Sequence, residues 1–88
     1  MTTQQRLDCL LQHLNERAES QGAGVSLTAQ DVSLLMERCG FANTSEIGFY
    51  LRSLDRHGLL NANVAADNTV LEARITIEGY CHLDTLRD

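Results

Sequence analysis

The chain has no lysine, no proline and no tryptophan, and its aromatic complement is two Phe and two Tyr. Without lysine, every one of its seven basic residues is an arginine, set against twelve acidic residues for a formal net charge of −5. A protein held to nucleic acid by general attraction to phosphate carries a basic patch or stripe. No segment here is basic. The stretch 44–58 balances, with Arg52 and Arg56 against Glu46 and Asp55, and every other segment sums to a negative value.

Also missing is any apolar run near the ~20 residues that cross a bilayer. The start, "MTTQQRLDCLL", has neither the basic opening nor the apolar centre of a secretion signal. The three cysteines, Cys9, Cys39 and Cys81, are odd in number and widely spaced. They suit neither a disulfide framework nor a zinc ribbon, so a reducing, cytoplasmic setting is the expectation. No glycine-rich phosphate loop and no carboxylate cluster occurs.

What remains is an ordinary globular mixture, 43% hydrophobic and 22% charged over 88 residues. That length supports one domain, residues 1–88, built on one core. Leu7, Leu10, Leu11, Leu14 and Ala18 recur at helical spacing, which predicts a helix over 4–20 that "SQGAG" breaks. Thr28 with Asp31 three positions on resembles a capping box for a second helix over 29–38, with Val32, Leu35, Met36 and Cys39 on its apolar face. Gly40 can take the left-handed conformation that ends it.

A third helix opens at Asn43 or Thr44, places Glu46 at the positive end of its dipole, and turns Ile47, Leu51 and Leu54 inward. Gly48 reads as tight packing inside the domain, and Gly58 supplies the stop. Beyond it the period changes. "LLNANV" and "VLEARITI" read as two strands of a hairpin, the second with Leu71, Ala73, Ile75 and Ile77 on one face, joined through the turn-forming "AADN". Thr76 or Glu78 opens a last helix expected to pack Tyr80, Leu83 and Leu86 inward.

The fold class is therefore α+β: three helices, a two-stranded hairpin and a C-terminal helix. "LRSLDRHGLL" and "ARITIEGYCHLDTL" resemble the close of a recognition helix, the wing and the following helix in winged helix-turn-helix domains of bacterial transcription regulators. The likeness is to the antibiotic-resistance and phenolic-acid-responsive families in particular, and it covers residues 27–87 at the level of pattern. It implies a DNA-binding module with residues 44–57 as recognition helix, working as a homodimer. Two departures stand beside it: "NVAADNTV" places Asp67 and no basic residue in the wing, and the chain is shorter than most such regulators. Similar modules also serve as adaptor domains of larger prokaryotic proteins, which makes a non-catalytic protein-interaction module the alternative.

A helix advances about 100° per residue, so with Ile47 at zero Ser45, Phe49, Arg52 and Arg56 lie roughly 140° to 200° away, on the face turned from the core. With Ser53 beside them they are the candidate contact residues. On double-stranded DNA, Arg52 and Arg56 can each pair with guanine O6 and N7, Phe49 can touch a thymine methyl, and Ser45 can bond phosphate. An aromatic flanked by arginines equally fits a protein interface. The plain alternative for the arginines is a solvated face.

Cys9 and His13 lie four apart on one helix and Cys81 precedes His82, but zinc needs four converging ligands and this spacing matches no usual set. Buried cysteines and surface histidines are the expectation, with no metal and no cofactor. A cysteine nucleophile beside histidine would need a pocket, an oriented base and an oxyanion site, so the chain is not expected to be an enzyme.

Overall fold

The structure, a computed structural model, describes residues 2–21, 24–67 and 71–86. Four helices and a three-stranded antiparallel sheet follow in the order α1 (Thr3–Gln21), β1 (Gly24–Ser26), α2 (Ala29–Cys39), α3 (Thr44–Arg56), β2 (Leu60–Val64), β3 (Leu71–Ile75), α4 (Ile77–Leu86). Helix α1 is the central element, and its expected stripe, Leu7, Leu10, Leu11, Leu14 and Ala18, is buried as a block. It packs on α2, α3, α4 and the sheet.

The sheet has one strand more than the expected hairpin. Its order is β1-β3-β2, with Val25 opposite Ala73 on one side and Ala62 opposite Ala73 on the other. Strand β1 is three residues long and only Val25 of it is buried, too short a stretch to display a period. On β3, Leu71, Ala73 and Ile75 face the core while Glu72 and Arg74 face solvent. The alternation stops there. Ile77 is not a fourth inward strand residue but the first residue of α4, 79% exposed.

The reason lies at Thr76, whose hydroxyl accepts from the Gly79 amide at 3.1 Å and donates to the Gly58 carbonyl at 2.6 Å. That single side chain caps α4 and ties its start to the end of α3. The seam is tight: a Cβ on Gly79 would be driven into the Leu59 carbonyl and Ile75. Of the residues expected to pack inward from α4, Leu83 is buried and Leu86 half-buried, but Tyr80 is exposed. Met36 of α2 is also exposed rather than inward.

The capping box on α2 is complete. The Thr28 hydroxyl accepts from the Asp31 amide at 3.2 Å, and the Asp31 carboxylate accepts from the Thr28 amide at 2.9 Å. Gly40, at φ 71°, closes the helix in the left-handed region. The Asn68 end of the expected "AADN" loop lies outside the described residues.

Candidate nucleic-acid interface

Helix α3 begins where the Asn43 side chain, rather than that of Thr44, accepts from the Glu46 amide at 2.9 Å. Its inward face is wider than the expected three residues: Ile47, Gly48, Tyr50, Leu51 and Leu54 are all buried. Tyr50 stacks at a tilt on buried Phe41, their centroids 5.1 Å apart, which anchors the turn between α2 and α3. Hydrophobic contact with α1, α2 and β2 thus fixes the roll of the helix.

The opposite face carries the residues expected there. Ser45, Phe49, Arg52 and Arg56 are exposed and Ser53 is half-buried. Phe49 is 60% exposed and meets Tyr50 edge-on, with centroids 5.7 Å apart. The Ser53 hydroxyl donates to the Phe49 carbonyl at 3.1 Å, so its proton is used within the helix and its lone pairs remain for a partner. Arg52 reaches the Ala65 carbonyl at 3.5 Å, a long contact that sets its guanidinium beside the β2–β3 connection. Arg56 stands in the last turn with no ion pair among the described residues.

Charge at this face is more favourable to an anion than the segment count implied. Arg6 of α1 pairs with Glu46 at 3.3 Å. With Glu46 matched from another helix, the local balance is Arg52 and Arg56 against Asp55. The Asp55 carboxylate in turn accepts from the Ala62 amide at 2.9 Å, which turns it toward the sheet.

Two clusters lie between α1 and α2, where the residue pattern points to simple burial. Cys9 and Cys39 form a disulfide across α1 and α2, with Cα atoms 5.8 Å apart and 30 residues between them in sequence. This corrects the reading of the cysteines as unpaired, since packing of two helices brings together what spacing kept far apart. Cys81 is the exposed, free one. His13 is likewise not a surface histidine but 5% exposed.

Its Nε2 lies 3.1 Å from Asp31 Oδ1, which also meets Arg17 Nε at 3.1 Å, while Asp31 Oδ2 accepts from Thr28. A carboxylate accepts only, so His13 carries its proton on Nε2. Its Nδ1 is buried without a partner among the described residues. Burial is the largest influence on the Asp31 carboxyl and pushes its pKa up. The Thr28 amide and hydroxyl, His13 and the Arg17 charge together outweigh it and leave the pKa below the ordinary value.

No protein-family model matches the chain, and neither a characterised protein nor a solved structure shows significant similarity to it. The site is therefore argued from its own geometry. A signal for the hidden cluster existed: Cys9, His13 and Arg17 fall at successive steps of four along the flank of the α1 stripe, the spacing of side chains that share one neighbour. Among the described residues no group of His, Cys, Asp and Glu is placed to hold a metal ion, and no helix is long and apolar enough to cross a membrane.

Proposed function

We propose that the chain is a winged-helix module that binds double-stranded DNA through the outer face of α3, as part of a transcription regulator. The topology supports this reading: three helices lead into a β2–β3 hairpin, and β1 completes the sheet on the other side of β3. The single observation that carries it is the outer face of α3, where Phe49, Arg52 and Arg56 are exposed and Arg52 reaches the β2–β3 connection at Ala65. In a groove, the arginines pair with guanine edges and Phe49 meets a thymine methyl, each well-made arginine pair discriminating by about 1–3 kcal/mol. One such helix reads few bases, so the working form is a homodimer on two half-sites. The module has no catalytic role and needs no cofactor.

A second reading is supported by Phe49 in particular. At 60% exposure, and with Asp67 giving the wing an acid instead of a base, it suits a protein-interaction face of the same fold, including that of an adaptor domain. Salt separates the two. If the Arg52 and Arg56 charges release about two counterions per chain, duplex affinity falls roughly tenfold per chain and about a hundredfold for the homodimer between 50 and 200 mM salt, whereas an apolar protein contact changes little. Binding of random and G-rich duplexes is measured at both concentrations for the native chain and for Arg52→Ala/Arg56→Ala. Absence of any duplex binding at 50 mM salt refutes the DNA reading.

A further inference from the structure

Helices α1 and α2 run antiparallel and are tied at both ends, by two different chemistries. Toward the end of α1, His13 and Arg17 hold Asp31 at the start of α2. Toward the beginning of α1, Cys9 holds Cys39, the last residue of α2. Four residues separate Cys39 from Thr44, the first of α3, and they include the Gly40 cap, the buried Phe41 and the Asn43 cap. The disulfide therefore anchors the turn that sets where α3 begins. Its two residues are unequal: Cys39 is fully buried, while Cys9 is half-buried and lines a surface cleft with Gln5, Asp8, Gln12 and Leu86.

We propose that Cys9–Cys39 is a reversible redox clamp, opened by a dithiol that enters the cleft between α1 and α4, and that opening it releases the α2–α3 turn and with it the α3 contact face. One thiolate of the dithiol attacks Cys9 Sγ. The Cys9–Cys39 bond breaks and Cys39 leaves as a thiolate that takes a proton from water. The second thiolate of the dithiol then attacks its own sulfur in the mixed disulfide, and Cys9 leaves and is protonated. Two electrons have passed to the protein, two thiols stand where the bond was, and the dithiol ends as a cyclic disulfide.

The asymmetry of the two ties gives the opened state its shape. The Thr28–Asp31 end stays fixed by hydrogen bonds indifferent to thiols. The Cys39 end keeps apolar packing and two screened pairs, Arg6–Glu46 at 3.3 Å and the exposed Arg38–Glu16 at 3.6 Å. Loosening is thus confined to residues 38–46.

The DNA arm of this inference rests on the reading above, and the structural arm does not. The full chain with Cys81→Ser, which removes the free thiol, is compared before and after treatment with dithiothreitol at native conditions. Thiol counting is expected to rise from none to two per chain, with the far-UV circular dichroism of a folded protein retained. Amide exchange over residues 40–46 then speeds at least tenfold and that of residues 28–32 does not change. Duplex affinity is expected to fall at least tenfold on reduction. The clamp is refuted if the bond opens only after unfolding, if reduction unfolds the whole chain, or if exchange over 40–46 is the same in both states. Equal duplex affinity in both states overturns the control of α3. Binding in neither state removes the DNA reading alone, and the exchange experiment still decides the clamp.

Discussion

Asp31 offers the sharpest test of how the helices are held, because one carboxylate caps α2 and links it to α1. Replacing Asp31 with Ala removes its half of the capping box, about 1 kcal/mol. It also removes a charge-assisted bond from buried His13, about 1.5–3 kcal/mol, and leaves that imidazole without a partner on either nitrogen. The Arg17 contribution is small, since its side chain is 37% exposed and screened by water. Relief from burying a charge offsets part of the loss.

The net expectation is about 3 kcal/mol, a large share of the roughly 4–13 kcal/mol typical of a chain this size, and a fall in Tm of roughly 12–24 °C. The sign of the pH dependence follows from the lowered carboxyl pKa. The unfolded chain binds the proton more readily, so the stabilisation is full above about pH 4, the ordinary carboxyl range, and is lost as pH falls through the lower folded value. Urea unfolding followed by circular dichroism, at pH 7 and in steps down to pH 2.5, measures both. The gap between native chain and Asp31→Ala should narrow below about pH 4. A loss under about 1 kcal/mol at pH 7, or a gap that stays constant through acid, refutes the reasoning.

Phe49→Ala should leave stability within about 1 kcal/mol of the native chain by thermal melting, because the ring is mostly exposed and gives up only one edge contact, yet weaken whichever partner the α3 face holds. Self-association lost in the same variant, by analytical ultracentrifugation, would move the assignment to the protein-contact reading. Gly79→Ala should destabilise by about 1–3 kcal/mol in urea titration despite the ~1 kcal/mol that alanine gains in a helix, since the added methyl meets the Leu59 backbone. Thr76→Val, which keeps the shape and deletes the cap, should cost about 1 kcal/mol and fray the start of α4 in amide exchange.

The parts legible in the sequence were those with a repeating apolar spacing. The stripes of α1 and α3, the capping box at Thr28 and the stop at Gly40 all follow from local rules that need no partner. The outward placement of Phe49, Arg52 and Arg56 follows from the same arithmetic. What stayed hidden depends on contacts between distant segments. Strand β1 exists because β3 offers Val25 a place beside Ala73. Ile77 continues the alternation of β3 on paper, but the Thr76 hydroxyl turns the chain into a helix one residue earlier. Cys9 finds Cys39, and His13 finds Asp31, only because α1 and α2 run antiparallel at close range. Gly48 is buried inside the domain, as expected, but the close approach at Gly79 has no local signal because its neighbour Leu59 is far from it in sequence.

The bond from the Ala62 amide to Asp55 has a consequence for how this protein can meet others. Strand β2 is an outer strand of the sheet, and such a strand normally offers its free amides to any extended peptide that drifts alongside. Here the carboxylate of α3 already occupies one of them, and the opposite border, β1, is three residues long. Each border is thus a poorer template for a foreign strand than a long, free edge. Strand addition and fibre-like growth are thereby disfavoured at both borders.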